Sequence, residues 1–434
     1  MKDKLQAVRG MNDLLTDQLP WWQLVERSAC TLFADYGYQE LRVPLVERTE
    51  LFKRSIGEHT DIVEKEMYSF EDRGGDSLSL RPEATAGLVR AAIEHGLLHN
   101  QKQRLWTSGP MFRHERPQQG RYRQFHQIDC EAFGYEGPDV DVEVIQISAR
   151  LWRMLGITDV RLRVNSLGTP ESRRQYRALL VAYFERHRAA LDADSLRRLE
   201  SNPMRILDSK NPAMQEAIAG APALADHLDP DSRAHFERFC DLLGAGGIPY
   251  EVDPRLVRGL DYYTRTVFEW TTTALGTQDA VCSGGRYDGL VAQLGGDPTP
   301  AIGWALGIER IVGLMQAAGK AADATVPAVY LVLSGDRAER AGLAIAERLR
   351  DALPGAGCLA NMGGGSLKSQ MKRADKSGAQ LALIIGDDEI ARGSAAVRKL
   401  RGDASQQDCP LHELPERIAA LLGRKLNSRS DDGR

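Results

Sequence analysis

The chain has 434 residues, 42% hydrophobic and 27% charged, which is enough for two to four domains that each bury a core and excludes disorder as the default. Lysine and arginine total 56 against 60 acidic residues, and the formal charge of −4 gives no global attraction to nucleic acid or anionic membrane. Any polyanion has to be held by local basic patches. Six cysteines (Cys30, Cys130, Cys240, Cys282, Cys358 and Cys409) are scattered without a C-x-x-C pair, which argues against a zinc site or disulfide framework and points to a reducing compartment. MKDKLQAVRGMNDLL lacks the apolar core of a signal peptide, and no segment offers ~18 uninterrupted apolar residues. A cytoplasmic protein, neither exported nor membrane-spanning, is expected.

Helical spacing of apolar residues from Trp21 to Tyr36 predicts an amphipathic helix ending at Gly37. YQELRVPLVERTELF then reads as a strand interrupted by Pro44, which cannot donate to a ladder and prefers an edge, bulge or interface. A strand at Asp76–Leu80, a helix from Pro82, strands around Leu105–Arg113 and Tyr122–Phe133 and a helix over Val140–Leu155 follow. Runs such as SRRQYRALLVAYFERHRAALDADSLRRLE make residues 170–250 a helical insertion. Strand patterns return at Tyr262–Trp270. After Gly284-Gly285, AIGWALGIERIVGLM predicts a short strand running into a helix, closing the large domain near Gly319.

Residues 321–327 have linker composition. VYLVLS, a helix around Glu339–Leu349, LALIIG, AAVRKL and a helix at Pro415–Leu422 predict an α/β domain over 328–424, before a frayed polar tail at 425–434. The large domain is thus split into 1–169 and 251–320.

Chemistry concentrates in MFRHERPQQGRYRQFHQIDCEAFG. Its Pro-Gln-Gln-Gly turn places Arg113 and Glu115 at the end of one strand and Arg121 and Arg123 at the start of the next. Period two puts Phe125, Gln127, Asp129 and Glu131 on one face and His126, Ile128, Cys130 and Ala132 on the other. A solvated face with salt bridges is the plain reading of Arg–Glu pairs. Three arginines beside an aromatic fit a nucleotide better, because guanidinium forks bind phosphate bidentately and Phe125 can stack on a base. That pattern predicts a cleft that activates a small carboxylate with ATP.

FRHE, a variable loop and RYRQF resemble motif 2 of the class II aminoacyl-tRNA synthetases. LRVPLVE with Pro44 is similar to motif 1, which builds that family's dimer interface, and GWALGIER, ending in Arg310, resembles motif 3. RPEAT (81–85) and LVRGLDYYTRTVFEW (256–270) resemble the histidyl-tRNA synthetases specifically. The resemblance covers nearly the whole chain. It implies an α+β catalytic domain with an antiparallel sheet, a helical insertion, a C-terminal α/β anticodon-binding domain, and a homodimer. The implied reaction is that of a histidine-tRNA ligase: L-histidine and ATP give histidyl-adenylate and pyrophosphate, and histidine passes to the 3′-terminal adenosine of tRNA(His).

By resemblance, Glu83, with Ala84 and Thr85, holds the substrate α-ammonium, whereas the plain reading is a helix cap. Arg258 contacts the substrate carboxylate and α-phosphate, rather than forming an ordinary loop salt bridge, and shares the catalytic role with Arg113. An imidazole carries a donor and an acceptor, so a selective pocket needs complementary polar groups, which Glu131 and Tyr263 supply beside Tyr262 and Gln127. ATP falls to Arg113, Glu115, Arg121, Arg123, Phe125 and Arg310, with Mg²⁺ bridging phosphate oxygens and no protein metal site. Arg116, Gln118 and Gln119 are expected at the acceptor end of tRNA. Lys368, Lys372 and Arg373, with Lys376, form a basic helical stretch expected at RNA phosphates rather than merely solvated.

Other features carry no chemistry. NMGGGSLKSQMKR does not match GxxxxGK[ST] and reads as a loop entering a helix. His95 and His99 lack the zincin glutamate and read as surface imidazoles, and His126 packs behind the sheet. Two alternatives stand beside the main reading. Histidine-sensing regulatory subunits of an ATP phosphoribosyltransferase lack the C-terminal domain kept here. Synthetases for glycine, threonine or proline lack RGLDYY and the Glu131 position.

Overall fold

The computed structural model describes residues 4–58, 60–118, 120–209, 211–275, 280–320, 326–402 and 405–427. Gln119, most of the expected linker and the end of the expected tail lie outside the described residues. The chain forms two compact units, Met1–Ala322 and Asp323–Arg434.

The first unit is built on an eight-stranded sheet. From one edge its strands run Gln39–Glu40, Gln103–Phe112, Gln124–Phe133, Ala301–Gly307, Ala280–Arg286, Thr264–Thr271, Arg161–Ser166 and Tyr250–Val252. Only the two edge pairings are parallel. Behind the sheet lie the helices Leu19–Asp35 and Pro138–Leu155, as the periodicity predicts. The first buries Trp22, Val25, Ala29, Leu32 and Phe33 at helical spacing, in one apolar cluster with Ile128, Cys130 and Ala132 of the sheet.

Pro44 marks a change of sheet. Gln39–Glu40 pairs with the large sheet, while Val46–Arg48 pairs with Ser77–Leu80 in a separate three-stranded sheet. Two central features escaped the sequence reading. Arg161–Ser166 is a strand, and so is Ala280–Arg286, which contains Gly284-Gly285. The glycines sit there because backbone approaches too closely for a side chain: a Cβ would stand 2.0 Å from the Gly303 carbonyl oxygen at 284 and 2.6 Å from that of Thr266 at 285.

Helices Pro170–Arg186, Ala193–Ser201 and Pro230–Ala245 make up much of the insertion, and each begins at a side-chain cap. Thr169, Asp192 and Asp229 accept from the backbone amides of Ser172, Ser195 and Ser232. The insertion has no separate core. Tyr176, Leu180 and Phe184 share one apolar cluster with Tyr262, Tyr263, Val267 and Tyr287, so the helices brace the rear of the tyrosines that face the cleft.

The second unit has a five-stranded mixed sheet in the order Cys358–Ala360, Val329–Ser334, Leu381–Gly386, Ser394–Lys399 and Gln406–Pro410. Helices Asp336–Ala352, Leu367–Lys376 and Leu414–Leu422 complete it. The two outermost strands were not foreseen, being short and, at Gln406–Pro410, polar. Among the described residues no helix is long and apolar enough to cross a membrane.

Candidate active site

Strands Gln103–Phe112 and Gln124–Phe133 pair antiparallel, with Gly109 opposite Gln127, Thr107 opposite Asp129 and Leu105 opposite Glu131. The expected alternation holds: Phe125, Gln127, Asp129 and Glu131 line a cleft, and Ile128, Cys130 and Ala132 face the core. His126 also lies behind. Its ring meets Trp22 edge-on at 4.9 Å, its backbone N–H donates to both Glu309 oxygens at 3.0 Å, and Nδ1 lies 3.1 Å from Glu309 Oε1.

One end of the cleft is acidic. The Glu131 carboxylate, 1% exposed, accepts from the Thr85 hydroxyl at 2.6 Å and from the Tyr287 hydroxyl. Burial pushes its pKa up to about 8, against the lowering pull of those two bonds. Gly303 makes room for it, since a Cβ there would lie 1.6 Å from Glu131 Oε2. Glu83 accepts from the backbone amides of Thr85 and Ala86 at 2.9 Å each, at the start of the helix Thr85–Glu94. Glu83 thus caps the helix start and also lines the cleft, and burial raises the pKa of this group too.

The same cleft carries four arginines. Arg258 is half-buried, donating to Glu269 at 2.8 Å and Ser283 at 2.7 Å, with its guanidinium 5.8 Å from the Tyr263 ring centroid. Arg113 donates to the Pro82 carbonyl at 2.9 Å and lies 5.3 Å from the Phe125 centroid. Arg121 pairs with Glu115. Arg310, in the first turn of Ile308–Ala317, donates to the Gly120 carbonyl at 3.2 Å and to that of Ala280. These commitments fix the guanidinium planes before any ligand arrives.

Most of the expected histidine and ATP residues thus share one cleft; Ala84 and Arg123 do not line it. Ala84 is wholly buried at the helix start. Arg123 donates from Nε to the Glu115 carbonyl at 3.2 Å, and its backbone N–H bonds the Gly10 carbonyl at 2.8 Å. Arg121 is therefore the loop arginine at the cleft. Arg116 and Gln118 are exposed on the loop, and Lys368 and Lys372 on the helix Leu367–Lys376. Arg373, expected at RNA, is spent on the glycine loop, donating to Asn361 Oδ1 at 2.8 Å and to the Gly364 carbonyl.

Sequence reasoning missed Tyr287, which holds Glu131, and Glu269 and Ser283, which hold Arg258. Glu269 and Ser283 lie opposite each other on adjacent strands, a pairing invisible while Ala280–Arg286 went unrecognised. Among the described residues no group of three or more His, Cys, Asp or Glu is arranged to hold a metal ion.

A mainly antiparallel sheet carrying such a cleft on one face, with the three motifs in order along it, is the architecture of a class II aminoacyl-tRNA synthetase, a ligase. Residues 10–311 match the family model described as histidyl-tRNA synthetase, and residues 328–421 match that of an anticodon binding domain. The chain belongs to the histidyl-tRNA synthetase family, and its activity is that of a histidine-tRNA ligase. It is similar to the apo crystal structure of the S. aureus histidyl-tRNA synthetase, with 34% identity over 96% of this chain and 100% of that one and a TM-score of 0.81. A histidyl-tRNA synthetase from a Nostoc species shares the fold at 21% identity, covering 96% of this chain and 100% of that one, with a TM-score of 0.68.

Proposed function

We propose that the cleft binds L-histidine at its acidic end and ATP at its arginine-rich end, so that the carboxylate and the α-phosphorus meet between them. The composition of the cleft lining carries this reading: the carboxylates Glu83 and Glu131 with Gln127, Tyr262 and Tyr263, and the guanidiniums Arg113, Arg121, Arg258 and Arg310 in the same cleft. Glu131, oriented by Thr85 and Tyr287, accepts from the imidazole, with Tyr263, Tyr262 and Gln127 around it. Such a pocket rejects isosteres strongly, because its own buried groups would be left unpaired.

The histidine carboxylate attacks the α-phosphorus in line and pyrophosphate leaves. Arg113 and Arg258 stabilise the charge on the pentavalent phosphorus from fixed positions. Phe125 stacks on the base, and Arg121 and Arg310 grip the phosphate tail. Mg²⁺ binds nucleotides through phosphate oxygens and only one or two carboxylates, so it needs no cluster of protein ligands. Glu115 and Glu269, both at the cleft, are the carboxylates that fit, and the ion would supply charge neutralisation there. In the second step the 3′-OH of the terminal adenosine attacks the adenylate carbonyl and AMP leaves, with Arg116 and Gln118 at the acceptor end.

We assign residues 170–250 to the insertion and 328–424 to the anticodon-binding domain, where Lys368 and Lys372 are the cations placed for RNA. Leu45 and Val46, 42% and 37% exposed beside Pro44, suit the homodimer interface. Six unpaired cysteines agree with the cytoplasm. Charging total tRNA with histidine and ATP tests the reading. Esterification of histidine to tRNA(His) is expected, and histidine binding without adenylate formation would refute it.

A further inference from the structure

Three of the carboxylates that line the cleft, Glu83, Asp129 and Glu131, are not equally committed. Glu131 is bonded to two hydroxyls and Glu83 to two helix amides. Asp129, on the strand between Gln127 and Glu131, has 0% exposure, lines the cleft, and has no hydrogen-bond partner on either oxygen. Gln127 Oε1, two residues away on the same face, is likewise unpartnered. Neither nearby guanidinium bonds it: Arg81 donates from Nε to the Pro110 carbonyl at 2.9 Å and from Nη1 to that of Val43 at 3.1 Å, and Arg113 donates to the Pro82 carbonyl. A buried carboxylate with all its acceptor capacity left is rare unless a ligand uses it.

From this geometry we infer that Asp129 is a further substrate-binding residue, which with Glu83 and Gln127 accepts the three N–H bonds of the histidine α-ammonium. An ammonium offers three donors and no acceptor, whereas an imidazole offers at most two N–H groups, and Glu131 already serves it. Repulsion from Glu131 and Glu83, added to burial, pushes the Asp129 carboxyl well up, so a cation between them also relieves their mutual penalty. Asp129 is therefore a discriminator for substrates that carry a free α-ammonium.

The inference rests on the proposed placement of histidine, and two analogues separate the two. Histidinol keeps the ammonium and lacks the carboxylate; 3-(imidazol-4-yl)propionate keeps the carboxylate and lacks the ammonium. Their affinities are measured by calorimetry on wild type, on the isosteric Asp129→Asn and on Asp129→Ser, each checked for wild-type melting behaviour. Histidinol is expected to weaken roughly ten- to hundredfold in both variants, the scale of a lost charged hydrogen bond, while imidazolepropionate is unchanged. Equal weakening of both analogues, or of neither, overturns the role of Asp129. Wild type that binds neither analogue overturns the placement of histidine itself.

Discussion

Two strands at the centres of their sheets are used in opposite ways. Gln124–Phe133 buries Ile128, Cys130 and Ala132 on one face and presents Gln127, Asp129 and Glu131 to the cleft on the other. Leu381–Gly386 is apolar on both faces, with Leu381, Leu383 and Ile385 in one cluster and Ile384 against a second. In the first unit chemistry is carried by the sheet itself, where neighbouring strands fix each side chain. In the second, a sheet covered on both sides leaves the proposed RNA contact to exposed elements such as the helix bearing Lys368 and Lys372.

Substitutions on the cleft face should therefore alter activation, and those on the second unit only tRNA use. The largest effect is expected for Arg113→Ala, which removes a preorganised donor and should lower ATP-pyrophosphate exchange by ~10² or more. Near-normal exchange would sink the assignment. Gly303→Ala comes next. Its Cβ displaces the Glu131 carboxylate, and the KM for histidine should rise roughly tenfold or more, with the KM for ATP little changed. Tyr287→Phe, which deletes one of the two bonds holding Glu131, should raise the histidine KM about three- to tenfold.

Lys372→Ala should leave exchange untouched. It should raise the KM for tRNA in aminoacylation and reduce the salt slope of tRNA binding by about one. Loss of exchange there would break the contrast between the two units.

The smallest effect is on stability. The Glu131 pKa rises from 4.5 to about 8, so the native state binds more protons than the unfolded chain between those values. Its contribution is complete below the unfolded pKa and is lost as pH rises toward about 8. In thermal melts Glu131→Gln, which does not titrate, should lose less stability than wild type across that window, a difference of roughly 2–4 °C.

The cleft face was legible because period two is strict: once Phe125 is inward, so are Gln127, Asp129 and Glu131. The helices Leu19–Asp35 and Pro138–Leu155 were equally plain from their apolar spacing. What could not be read depended on contacts distant in sequence. Gly284-Gly285 looks like a break until the approach of Gly303 and Thr266 is known, and with that strand hidden, Ser283 and Tyr287 had no place. Arg121 and Arg123 are equivalent in sequence; the Gly10 segment, which bonds the Arg123 amide, tells them apart. Arg373 looked like part of a basic stretch, yet Asn361 and Gly364 occupy it.

The most direct test of the cleft's polarity and selectivity is ATP-pyrophosphate exchange by the purified enzyme with each standard amino acid in turn. Exchange with histidine alone is predicted. Exchange with another amino acid, or none with histidine, would contradict the account.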